Sequence, residues 1–205
     1  MKVILVNGSP HKDGCTNRTL EEIQMQLAKE GIQSEIFWIG TTVQGCIGCY
    51  KCSQTGKCVF DDKVAEFLNL AKTADAFVFG SAVYYGSATG SITSFMDRVF
   101  FSGSQYMEDK PVASVVSCRR GGASEAFAQL NMYYMMNNMP VVSSQYWNQV
   151  HGFSPEDVEK DAEGLQTMRT LAVNMAWLLK GIEAGREKGL ALPKREPWEA
   201  TNFIR

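Results

Sequence analysis

Four cysteines fall within thirteen residues: Cys46, Cys49 and Cys52 with two residues in each gap, then Cys58 after five more. Thiolates are soft, strongly donating ligands, and four packed this closely in sequence can surround one metal centre. The close triplet resembles bacterial ferredoxin spacing, although there the fourth cysteine follows three residues later and serves another cluster. A four-cysteine zinc site is also chemically possible, but it usually uses two separated pairs. Free thiols, or pairs formed by oxidation, complete the readings that spacing leaves open. Cys15 and Cys118 stand apart from the run. Reactive roles for them would require lowered thiol pKa values.

The other chemistry-bearing segment is Asn7-Gly8-Ser9-Pro10-His11-Lys12-Asp13-Gly14-Cys15-Thr16-Asn17, which follows the apolar run Lys2–Val6. A buried strand that passes through such a loop into a helix start gathers unpaired N–H groups and the positive end of the helix dipole. Ser9, Thr16 and Asn17 add neutral donors, and His11 is expected to shape the loop. The segment lacks both the G-x-x-x-x-G-K-[ST] of nucleotide-hydrolysing loops and the G-x-G-x-x-G of dinucleotide folds. It reads as a phosphomonoester site of hydroxyls and amides, as a tightly held FMN would require.

Two further loops carry matching features. Ser81-Ala82-Val83-Tyr84-Tyr85-Gly86-Ser87 offers two aromatic faces for a flat ring, with small residues that let backbone approach the ring edge. Ser117-Cys118-Arg119-Arg120-Gly121-Gly122 offers backbone donors and positive charge, which favour an anionic reduced flavin. The same arginines could meet a nicotinamide-nucleotide pyrophosphate.

These loops need a frame. Strands are expected at Lys2–Val6, Ser34–Ile39, Ala76–Gly80, Val112–Ser117 and Val141–Gln145. Helices are expected near Thr16–Glu30, Asp62–Thr73, Ser91–Phe101, Ala123–Asn137 and Pro155–Ala184. Strands apolar on both faces that alternate with helices make an α/β parallel sheet sandwiched between helices. Right-handed crossovers then favour the flavodoxin-like, doubly wound order 2-1-3-4-5, with ligands bound at the carboxyl ends of the strands. Ser154 and Pro155 suit the start of the last helix. Met132, Met135, Met136 and Met139 read as core or as a subunit contact.

The chain of 205 residues suits one domain, with 45% apolar residues and a formal charge of −2. No basic surface suggests nucleic acid or an anionic membrane. No apolar stretch reaches membrane-span length, and the first residues do not read as a signal peptide. A cytoplasmic protein is expected, one in which cysteines serve as ligands or thiols. Residues 1–189 form the expected domain. Residues 190–205 form an extended tail whose Trp198, Phe203 and Ile204 are expected to lie against the domain or a neighbouring subunit, near the flavin mouth.

The loop from Gly8 to Thr16, the Val83-Tyr84-Tyr85-Gly86 turn, the Phe95-Met96-Asp97-Arg98 helix and the Arg119-Arg120-Gly121-Gly122 turn together resemble the NADPH-dependent FMN reductase family. Cys15 stands where relatives often carry Asn, and Ala82 where they often carry Pro. The resemblance covers roughly the first 150 residues. It implies a flavodoxin-like fold, bound FMN and a homodimer or homotetramer. The cysteine run is similar to that of the iron–sulfur flavoproteins, a branch of the family in which such a run holds a [4Fe–4S] cluster. The implied activity is hydride transfer from NAD(P)H to FMN, then reduction of a quinone, a nitro or azo compound, free flavin or an iron–sulfur centre. The alternative is an electron carrier that exchanges electrons with a ferredoxin-like protein.

Overall fold

In β1 (Lys2–Asn7) the apolar residues alternate between two cores. Val3 and Leu5 enter one, Ile4 and Val6 the other, which is how a strand covered on both faces behaves. The computed structural model describes residues 1–203. The later strands are β2 (Gln33–Trp38), β3 (Ala76–Tyr84), β4 (Ser87–Ala88), β5 (Val112–Cys118) and β6 (Gln149–His151). Five run parallel in the order β2-β1-β3-β5-β6, and the two-residue β4 folds back antiparallel on β3. With β4 set aside, this is the expected flavodoxin-like 2-1-3-4-5 order.

The helices are α1 (Cys15–Lys29), α2 (Lys51–Thr55), α3 (Lys63–Ala71), α4 (Gly90–Gly103), α5 (Ala123–Met136), α6 (Pro155–Val158) and α7 (Ala162–Glu187). Leu20, Ile23 and Leu27 of α1 pack with Leu171 and Met175 of α7 in one core. Phe67 of α3, Phe95 of α4 and Leu130 of α5 fill the other. That second core is aromatic: Phe67 meets Phe95 edge-on at 5.3 Å, and Phe79 stacks on Tyr134 at 5.7 Å. Each fully buried side chain of this size stabilises the fold by roughly 1.5–3 kcal/mol.

A buried ion network joins α1 to α7. Glu22 accepts from Arg18 Nη2 at 2.8 Å and from Arg169 Nη1 at 2.5 Å, while Arg18 also pairs with Glu159. Burial pushes the Glu22 carboxyl up, but the hydrogen bonds from Arg18 and Arg169 outweigh it and hold the group below the ordinary glutamate value.

Two expectations need correction. The fifth strand is not Val141–Gln145: Val141 makes an isolated bridge to Val112, and pairing resumes only at Gln149–His151. Between them Asn148 Nδ2 donates to the Ser114 carbonyl at 3.0 Å and its Oδ1 meets Ser144 Oγ at 2.7 Å. These side-chain bonds stand in for the missing ladder while the chain bulges outward. The last helix is also interrupted. After α6 the chain breaks, and Asp161 Oδ1 caps α7 by accepting from the Gly164 N–H at 2.9 Å; Ser154 makes no side-chain cap bond. The break is hard to read from sequence because Val158 before it and Leu165 after it pack into the same core, although Ala162 between them is exposed. Of the four methionines read as core or subunit contact, Met139 is buried in the core and Met132, Met135 and Met136 are exposed.

No described helix is long and apolar enough to cross a membrane. In the tail, Arg195 pairs with Asp109 and with Glu108 at 3.5 Å, just before the start of β5. That is the end of the sheet opposite the phosphate-type loop. Trp198 and Phe203 are exposed rather than packed on their own domain, and Ile204 lies outside the described residues.

Candidate cofactor cleft and thiol recess

The loops after β1, β5 and β6 and the last residues of β3 converge on one cleft of about 830 Å³, with Trp38 at the end of β2 as a further wall. The first loop is braced by its own residues. Asn7 Oδ1 accepts the Ser9 N–H at 3.0 Å, and Asn7 Nδ2 donates to the Lys12 carbonyl at 2.9 Å. Ser9 Oγ accepts the His11 N–H at 3.1 Å, and Trp38 Nε1 donates to the Ser9 carbonyl at 2.9 Å. Below the loop, the Gly8 N–H reaches the Gly80 carbonyl at 2.9 Å. Helix α1 then begins at Gly14 with no side-chain cap and no acidic residue in its first turn. Its free N–H groups and positive dipole end are open to an anion.

Of the expected cofactor residues, Ser9, His11, Cys15, Thr16, Ala82, Val83, Tyr84, Cys118 and Arg119 line this cleft. Asn17, Tyr85, Arg120, Gly86, Gly121 and Gly122 are not among its lining residues. Asn17 is occupied by Asn7 at 3.4 Å and Glu21 at 2.7 Å. Tyr85 and Gly86 are the two central residues of the β3–β4 hairpin, both with positive φ, which presents Tyr85 wholly to solvent. Thr16 contributes differently from expectation. Its hydroxyl lies 2.8 Å from Ser117 Oγ in the interior and so ties α1 to β5.

Gly122 joins the two ring-side loops. Its φ is +89°, and an added Cβ would lie 2.5 Å from Gly86 Cα and 2.9 Å from Val83 Cγ1. Cys15 Sγ lies 3.7 Å from the Gly152 carbonyl. Burial pushes the Cys15 and Cys118 thiols up, so both present neutral surface to the cleft.

Trp38, Phe153, Ser154 and Pro155 also line the cleft and were missed. Trp38 had a signal, since it ends the strand beside β1. Phe153–Pro155 was hidden by the misplaced fifth strand, whose true end delivers those residues.

The cysteine run leaves β2 as irregular chain and enters α2. Tyr50 takes φ 55° there, and its ring meets Phe101 of α4 at 5.8 Å. Cys46, Cys49, Cys52 and Cys58 all line one small apolar recess of about 20 Å³, backed by Phe60, Arg98 and Phe101. Among the described residues, no group of three or more His, Cys, Asp or Glu is gathered closely enough to grip a metal ion. By residue type the four thiols suit a cysteine-ligated centre, but as folded they are not gathered around a single ion.

The fold and cleft define a flavodoxin-like α/β protein whose first strand leads through a loop into an uncapped helix start. The model of the NADPH-dependent FMN reductase family matches residues 1–153, and the chain belongs to that family. An iron-sulfur flavoprotein of Methanocaldococcus jannaschii is 31% identical over 192 residues, covering 89% of this chain and 100% of that one. One from Archaeoglobus fulgidus is 32% identical over 148 residues, covering 70% and 73%. Among solved structures, RosB with a bound riboflavin-phosphate intermediate superposes with a TM-score of 0.71 at 13% identity, covering 100% of this chain and 94% of that one. A flavodoxin from the Archaea gives 0.61 at 19% identity, covering 88% and 99%. At such identities the structural likeness establishes the fold alone.

Proposed function

We propose that the cleft holds FMN and that the protein is an oxidoreductase drawing electrons from NADH or NADPH. The uncapped start of α1, opening into a cleft walled by the carboxyl ends of the parallel strands and the loops that follow them, carries this reading. The first-turn amides of α1 and the Ser9 hydroxyl would hold the phosphate, with Tyr84, Ala82 and Val83 beside the ring. Bound FMN supplies hydride and single-electron chemistry that no side chain here can perform. Arg119 would contribute positive charge that favours added electrons, and Trp38, Tyr84 and Phe153 would offer aromatic faces around the bound group. The acceptor is a small oxidant such as a quinone, a nitro or azo compound, or free flavin, or an iron–sulfur centre. In anaerobically purified protein, FMN is expected at about one per chain, with its absorbance bleached by NADH or NADPH. Failure of either would end the proposal.

The thiol recess supports a second element: Cys46, Cys49, Cys52 and Cys58 as ligands of a [4Fe–4S] centre. The similarity to proteins named iron-sulfur flavoproteins favours an electron-carrier role with a ferredoxin-like partner as the competing reading. Flavin reduction much faster by ferredoxin than by nicotinamide would select it. The exposed methionines of α5 support a homo-oligomer, and the exposed run of residues 190–203 supports an arm distinct from the domain.

A further inference from the structure

Arg98, in the middle of α4, is only 1% exposed. A guanidinium has five N–H donors, and each finds an acceptor here. Nη1 donates to Asp62 Oδ2 at 2.7 Å and to the Gln44 carbonyl at 3.1 Å. Nη2 donates to Asp62 Oδ1 at 2.9 Å and to Cys58 Sγ at 3.3 Å, and Nε also donates to Cys58 Sγ at 3.3 Å. The ring of Phe60 covers the guanidinium at 4.9 Å.

Two of the five donors thus converge on one sulfur. A neutral thiol is a weak acceptor, whereas a sulfur bearing negative charge, as a metal-bound thiolate does, rewards such donors. The arrangement is also rigidly mounted. Arg98 stands mid-helix, and Asp62 is fixed because its Oδ1 accepts the Val64 N–H at 3.1 Å as the cap of α3.

The geometry points to Arg98 as a positioning residue that clamps Cys58 as the fourth ligand and tunes the thiol-bound centre, with Asp62 as its counter-charge. This rests on reading the recess as a redox centre. Hydrogen bonds and positive charge at a ligand sulfur stabilise the more negative, reduced state and so raise the reduction potential. Removing the guanidinium lowers that potential. Neutralising Asp62 leaves the guanidinium less offset and raises it. A purely structural ion pair would not give opposite signs for its two members.

The test uses Arg98→Gln, Arg98→Lys and Asp62→Asn in the full chain, purified without oxygen. Asparagine can still cap α3, and lysine keeps the charge while losing the fork, so these two guard against a folding failure at Arg98→Gln. Potentiometric titration followed by electron paramagnetic resonance should move the cluster midpoint downward for Arg98→Gln, less so for Arg98→Lys, and upward for Asp62→Asn. Shifts that are absent, or of one sign for both residues, overturn the proposal. Iron and sulfide analysis of the unsubstituted protein judges the cluster reading separately. In iron-free reduced protein, Co²⁺ titrated by its thiolate charge-transfer absorption should bind at least tenfold more weakly to Arg98→Gln. Undiminished Co²⁺ affinity would overturn the clamp even if iron were present. A tenfold loss with no iron in the unsubstituted protein would sustain the clamp and refute the cluster.

Discussion

Gly122→Ala is expected to weaken FMN binding by on the order of 10–100-fold, a loss of about 1.4–2.7 kcal/mol. Two effects add. The φ of +89° lies where an L side chain is strained, at roughly 1–2 kcal/mol. The new Cβ would also stand 2.5 Å from Gly86 Cα, which is backbone and cannot swing aside as a side-chain tip would. The β5 loop must then move off the β3–β4 hairpin, and the proposed ring slot opens between them. Because both loops lie at the surface edge of the sheet, the melting temperature should fall only slightly. Titration of the apoprotein with FMN, read by quenching of flavin fluorescence, measures the affinity. An unchanged dissociation constant would show that the ring does not lie between these loops.

Glu22→Gln should cost about 3 kcal/mol of stability at neutral pH, because it removes the charge that two buried or half-buried arginines share. For a chain of this size that lowers the melting temperature by roughly 6–12 °C. The folded protein holds Glu22 below its ordinary value of 4.5. The stabilisation is therefore full above that value and is lost as pH falls through the depressed one. Denaturant unfolding of both proteins at neutral pH and through the acid range should show curves that separate at neutrality and converge on acidification. A gap that persisted in acid would mean that packing, not charge, is what the substitution removed.

Much of the architecture was legible because the strands are buried on both faces. Val3 to Val6, Phe77 to Phe79 and Val112 to Val116 leave no choice but a sheet with helices above and below. The loop and uncapped helix start after β1 were legible because an apolar strand followed by small polar residues and glycines marks such a turn by local backbone chemistry. What escaped depended on long-range pairing. The bulge held by Asn148 and Ser144 moved the fifth strand, and with it Phe153 into the cleft. The hairpin geometry that turns Tyr85 outward depends on its pairing with β4, so an aromatic pair looked like two ring faces when the cleft has one. The inward turn of Thr16 required Ser117, 101 residues away.

Helix α4 touches both candidate centres. Thr89, its cap, donates to the Gly8 carbonyl at 2.8 Å, and Ile92 lies directly beneath Gly8, whose missing Cβ would fall 2.6 Å from Ile92 Cδ1. Six residues further along stands Arg98, against Cys58. At 1.5 Å of rise per residue that interval is about 9 Å, set by the pitch of a hydrogen-bonded rod. The helix is thus a ruler between the phosphate loop and the thiols. In the proposed pairing of flavin and cluster, electron exchange would fall steeply with distance, and a separation set by this helix would hold its rate steady.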